Sequence, residues 1–276
     1  MRVQTVLTLS VVAFACGKSD VVDSGVDAGV DAGFDAGVVA PPVCLPDRED
    51  AGRSDAGLDF SCRGRAPAPG GQAELVITGK ATRAGFVRTP LTGVQLDLLA
   101  LDGTVLATDV SGDGGTYRLS YDAGCQPLAG EVRATHPPDD AGFALSYSAP
   151  DEPWRFDRGN LELVMFDSST SGLAAAIAGV TLVDGGAVLA LTVVDCEGNP
   201  VEGALVTSAS GGDVRYVGTA GLPVTTQTST SASGDVVIFN VPGTSAQVSA
   251  TLDGGLIGQR TYPVHPGGAT GTFLSP

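Results

Sequence analysis

Few side chains in this sequence could carry specific chemistry. They are five cysteines, Cys16, Cys44, Cys62, Cys125 and Cys196, and two histidines, His136 and His265. A zinc site needs such residues at short, regular spacing. No Cys-x-x-Cys occurs, and each histidine stands beside a proline far from any cysteine, so no metal or other cofactor is expected. Proline and glycine neighbours place both histidines in turns rather than in the role of a base. No Gly-x-Ser-x-Gly elbow, no His-Glu-x-x-His and no phosphate-binding glycine loop is present, and Lys80 is the sole lysine beyond the first few tens of residues. Oxidative chemistry is another matter. With Cys16 set apart at the end of an apolar run, four cysteines remain, which allows two disulfides in three connectivities. Loop closure favours the near pair, Cys44 with Cys62, and leaves Cys125 with Cys196 to clamp two folded units.

A second cluster has binding character. Tyr147-Ser-Ala-Pro-Asp-Glu-Pro-Trp154-Arg-Phe156 gathers the only tryptophan with two further rings around two prolines. Tyr147, Trp154 and Phe156 could present an aromatic platform to a protein or glycan ligand. Their ordinary alternative is to plug the junction between domains, because large rings are mostly buried. Acidic pairs for hydrolysis can meet from anywhere in a fold, so an exported hydrolase with an acidic site is the alternative to a binding protein.

Membrane address is written at the amino terminus. Arg2 precedes an apolar run from Val6 through Ala15, which Cys16, Gly17 and Lys18 follow. A spanning helix needs about 20 apolar residues, so this run reads as an export signal, residues 1–15. Ala13-Phe14-Ala15-Cys16 resembles the lipobox of bacterial lipoproteins, with Ala13 where leucine is commoner. The resemblance implies cleavage behind Ala15, acylation of the Cys16 thiol and a place in the cell envelope, at the outer membrane.

Residues 16–72 read as a flexible acidic linker. Val22-Asp-Ser-Gly, Val26-Asp-Ala-Gly, Val30-Asp-Ala-Gly and Phe34-Asp-Ala-Gly repeat every four residues, a period that fits neither helix nor strand. The pattern lacks both the nonapeptide and the EF-hand calcium signatures. Over the whole chain of 276 residues the net charge is −16, with two lysines and thirteen scattered arginines, which excludes a backbone-driven nucleic-acid partner.

The rest must position whatever function there is, and it reads as all-β. Short Val-, Leu-, Thr- and Tyr-rich stretches recur between Gly, Pro and Asp, from Glu74–Thr78 to Leu161–Phe166, and again from Ala187–Val194 to Ile257–Val264 with a last edge at Thr272–Leu274. Val224–Thr230 is one strand of that second series. Seven strands at such spacing suit a Greek-key sandwich, so two tandem β-sandwich domains are expected, 73–166 and 185–276. Val94, Leu96 and Leu98 face a core while Gln95 and Asp97 face water. A short helical connector over 167–184 is capped by Asp167 and the hydroxyls after it, and ends at Gly179.

The stretches Asp195-Cys-Glu-Gly-Asn-Pro200-Val-Glu-Gly203-Ala-Leu-Val206 and Ser233-Gly234-Asp-Val-Val-Ile-Phe-Asn-Val-Pro-Gly243 resemble the carboxypeptidase regulatory-like domain, a transthyretin-like sandwich. The resemblance covers roughly residues 187–252, and less of it returns around Thr89–Val94 and Ser111–Tyr117. Gly198 and Pro200 set the turn, and Gly203 is read as a close-packing position. The family implies an accessory module without catalytic residues. A lipid-anchored, non-enzymatic envelope protein that displays two β modules is therefore the expectation.

Overall fold

The computed structural model describes residues 57–65, 70–85, 88–136, 142–218 and 221–276. The export signal, Cys16, the tetrapeptide repeats and Cys44 lie outside the described residues. Eight strands form the first half: β1 Glu74–Arg83, β2 Thr89–Pro90, β3 Gln95–Ala100, β4 Val105–Val110, β5 Thr116–Asp122, β6 Gly130–Thr135, β7 Ser146–Ser148 and β8 Arg158–Met165. Helix α1, Ser168–Ile177, follows. The second half holds β9 Ala187–Val193, β10 Leu205–Ser208, β11 Asp213–Val217, β12 Pro223–Val224, β13 Asp235–Val241, β14 Ser245–Leu252, β15 Gly255–Pro263 and β16 Ala269–Leu274. The fold is all-β, as the alternating apolar pattern requires.

Two sandwiches are present, and they share a sheet. One nine-stranded sheet runs β12-β11-β13-β9-β16-β7-β6-β3-β4. A four-stranded sheet, β2-β1-β5 with β8 beside β1, covers its first half, and a three-stranded sheet, β10-β14-β15, covers its second. The expected edge at Thr272–Leu274 is instead the centre: β16 pairs in parallel with β9 on one side and β7 on the other. Parallel neighbours are joined through long crossovers, so no turn signal in the sequence announces them. Val224–Thr230 also departs from expectation, since only Pro223–Val224 pairs.

The covering layers lie on opposite faces of the shared sheet. Residues directly opposed in a ladder point to the same face, and one such row runs Thr108, Asp97, Arg133, Tyr147, Thr270, Leu189, Ile238, Val214. Its second half is apolar and packs under β14 and β15 with Val248, Ala250, Ile257 and Tyr262. Its first half is polar. The adjacent row turns to the other face, where Leu96, Leu98, Val132 and Ala134 pack against Leu75, Ile77, Leu119 and Leu163. Further along that face Val188 and Val237 meet Ala175 of α1 and Ala178, its C-cap. The helix thus covers what the four-stranded sheet does not reach.

Local chemistry explains the ends. Asp167 accepts the Thr170 N–H at 2.7 Å as the helix N-cap, and Gly179 closes the helix at φ 64°. Gly203 serves a different purpose from the one expected: its nearest neighbour is the Leu252 side chain, at ordinary contact distance, and its φ of 82° is what demands glycine. Close approach belongs to Gly234, where a Cβ would stand 2.6 Å from the Val193 carbonyl.

The expected disulfides are both overturned. Cys62 joins Cys196 across 134 residues, with Cα atoms 5.8 Å apart. Cys125 is disulfide-bonded too, to a partner outside the described residues. Loop entropy favoured the near pair, but docking of the chain around Cys62 decides the matter, as described next.

Candidate binding cleft at the junction of the sandwiches

Residues 57–65, assigned on composition to the linker, dock on the second sandwich. Asp195 is buried in the turn after β9 and collects N–H groups: Glu197 and Asn199 at 2.9 and 2.8 Å on one oxygen, Asp59 at 3.1 Å on the other. The Cys196 N–H donates to the Asp59 carbonyl at 2.8 Å, and Phe60 packs against the second core. These contacts bring Cys62 to Cys196. Leu58 and Phe60, apolar residues two apart in a polar stretch, are the signal that could have found the docking. A few residues on, Gly71 and Gln72 donate to the carbonyls of Cys125 and Arg155 in the first sandwich.

A cleft of about 620 Å³ opens between this segment and the two sandwiches. Arg63 and Arg65 form one wall, Asp151 and Glu152 from the β7–β8 connection form another, and Leu256–Arg260 of β15 form the floor. Arg260 reaches Glu152 at 3.6 Å and donates to the Pro276 carbonyl at 3.2 Å. Arg63 lies 5.7 Å from the Phe60 ring centroid, a cation–π distance.

Polar groups cluster on the uncovered part of the shared sheet. Asp97, expected to face water, is 1% exposed and accepts from Arg133 at 2.7 Å, Thr108 at 2.8 Å and Gln95 at 3.0 Å. Beside it His265 meets Glu131 at 2.9 Å and stacks on Tyr147, with ring centroids 3.5 Å apart. Together these contacts tie the loop before β16 to β6 and β7. His265 is therefore a turn residue with a structural partner, and His136 stacks on Phe143.

The aromatic residues singled out in sequence do not share a platform. Trp154 is built into the first core, bridging to Leu128. Tyr147 faces the other side of the sheet under His265, and Phe156 is half-buried. Among the described residues no group of three or more His, Cys, Asp or Glu is arranged to hold a metal ion. No helix among them is long and apolar enough to cross a membrane.

Three buried carboxylates give the fold an acid limit. Burial acts most strongly on Asp97 and raises its pKa, but the hydrogen bonds from Arg133, Gln95 and Thr108 together outweigh it, and the net shift is downward. Asp195 follows the same balance, with the N–H groups of Asp59, Asn199 and Glu197 prevailing over burial. Asp167 is held below the usual range by the Ser169 hydroxyl and the Thr170 N–H, with Arg83 adding to them. A depressed carboxylate stabilises the folded chain fully above its unfolded pKa, near 4, and the contribution drains away as pH falls further. Urea midpoints are expected to hold between pH 7 and 5 and to drop steadily below about pH 4. Asp195→Asn should flatten that slope, and equal midpoints at pH 5 and pH 3 would contradict the assignment.

No family model matches the chain, and no curated protein matches it. Similar solved structures include the Bacillus anthracis TIE protein, at 11% identity and a TM-score of 0.22 over 73% of this chain and 34% of that one. The shaft pilin spaA of Lactobacillus rhamnosus GG matches at 13% identity and TM-score 0.22, over 74% of this chain and 98% of that one. A streptococcal ancillary pilin matches at 11% and 0.22, over 74% and 63%. This chain thus spans about a third of the first protein and under two thirds of the third. At a TM-score of 0.22 the likeness ends at a β-rich chain, and no function is carried across.

Proposed function

We propose that this chain is a lipid-anchored protein of the cell envelope, held through Cys16 at the outer membrane, which displays its joined β-sandwiches for structural or binding work. The observation that supports this most is the Cys62–Cys196 bridge, a cross-link that forms and persists in oxidising, exported settings. It agrees with the export signal that ends at Ala15. Cysteine arithmetic agrees as well: with Cys62 and Cys196 joined and Cys125 also bridged, acylation of Cys16 leaves Cys44 to pair with Cys125.

The experiment is detergent-phase partitioning of wild type and Cys16→Ser in a diderm host, with intact mass and thiol alkylation. Wild type is expected in the detergent phase, carrying acyl mass and no free thiol, and Cys16→Ser in the aqueous phase, because one lipidated cysteine would be the attachment. A wild-type protein without acyl mass overturns the anchor.

A further inference from the structure

We infer that the cleft between residues 63–65 and β15 binds an extended acidic peptide, which adds as a strand to the edge of β15. The inference names a partner class for the binding role proposed above. Five consecutive residues, Leu256–Arg260, line the cleft. Side chains along a strand alternate between faces, so one hollow can meet all five only along the strand's edge. Among the described residues that edge carries no further strand: β15 is the terminal strand of the three-stranded sheet, with β14 on its other side, and the Ser275 carbonyl lies against Gly258. Among the described residues, Leu256–Arg260 make no backbone–backbone hydrogen bond outside the β14 pairing. Arg260 Nη1 donates to the Gln259 carbonyl at 3.1 Å. A strand edge inside a cleft with no further strand beside it among the described residues is a template for one more, which would take the Gln259 carbonyl from Arg260.

The walls select its chemistry. Arg63, Arg65 and Arg260 bring three of the chain's thirteen arginines into one hollow of a protein with net charge −16. Glu152 engages Arg260, while neither Arg63 nor Arg65 is in an ion pair among the described residues. Both are exposed, and their backbone starts at the bridged Cys62, whose carbonyl accepts the Arg65 N–H at 3.0 Å. Asp151 and Glu152 occupy the far wall and disfavour acidic groups there. Leu256, 46% exposed at the floor, offers contact to an apolar side chain. An added strand with carboxylates on one face and apolar side chains on the other meets all three features. A free anion would use the arginines and leave the edge unpaired.

The probe is a blocked eight-residue peptide of alternating Val and Asp, titrated into the full-length protein, with Val-Asn as its control. Binding is expected to slow amide exchange across residues 256–260 and to weaken with added salt. Arg63→Ala with Arg65→Ala, and the Val-Asn peptide, are each expected to lower affinity about tenfold or more, the worth of one to two charge-assisted hydrogen bonds. Both arginines are exposed, so an unchanged melting point checks that the variant is folded. Absence of binding at millimolar peptide overturns the inference. So does binding without protection at 256–260, binding indifferent to the arginines, or equal displacement by citrate. None of these outcomes touches the acyl mass on Cys16, so the anchor stands or falls separately.

Discussion

Replacing Cys62 and Cys196 together by serine is expected to destabilise the folded chain by about 4 kcal/mol, the scale for a bridge that closes a loop of more than a hundred residues. The bridge closes 134 residues of sequence and holds the segment that walls the cleft. Without it, the docked segment relies on the Asp59–Asp195 and Asp59–Cys196 hydrogen bonds and on Phe60. Trypsin should then cut behind Arg63 and Arg65 far faster than in wild type. Urea midpoints of the double variant and of wild type, with and without reductant, make the measurement. A variant as stable as oxidised wild type would show that the bridge contributes nothing.

The second large effect is expected at Leu274. It is fully buried in the second core at the end of β16, so Leu274→Ala should cost about 3 kcal/mol through lost transfer energy and the cavity left behind. The probe of interest is elsewhere. Trp154, the only tryptophan, belongs to the first core. Because β16 pairs with both β9 and β7, loss of the second core should carry the first with it, and Trp154 fluorescence should move with the far-ultraviolet dichroism in one transition. An early dichroism step with Trp154 unmoved would show that the two sandwiches unfold independently.

Strand positions were legible because alternation is local: Val94, Leu96 and Leu98 are buried as a period of two requires, and the Asp167 and Gly179 caps sit where their chemistry suggests. Partners were less so. Nothing near Ala269–Leu274 announces that it pairs with strands more than 70 and 120 residues away. Asp97 has the alternation of a wet position, yet Arg133, brought from β6, buries and neutralises it. The cysteine pairing failed for the same reason, since Asp59 finds Asp195 only in three dimensions. The cleft was invisible because its parts come from three distant stretches, and the aromatic cluster misled because Tyr147 and Trp154 point to opposite faces of one sheet.

The central place of β16 also sets an order of events. β16 follows every other strand of the shared sheet in the chain, so the sheet's two halves cannot join until the last of its strands has been synthesised. Until it arrives, β7 and β9 each have a bare edge of the kind that recruits stray strands. The joining of this sheet's two halves therefore falls after β16 has been made, late and dependent on distant contacts, when folding is slow and exposed edges have most to recruit.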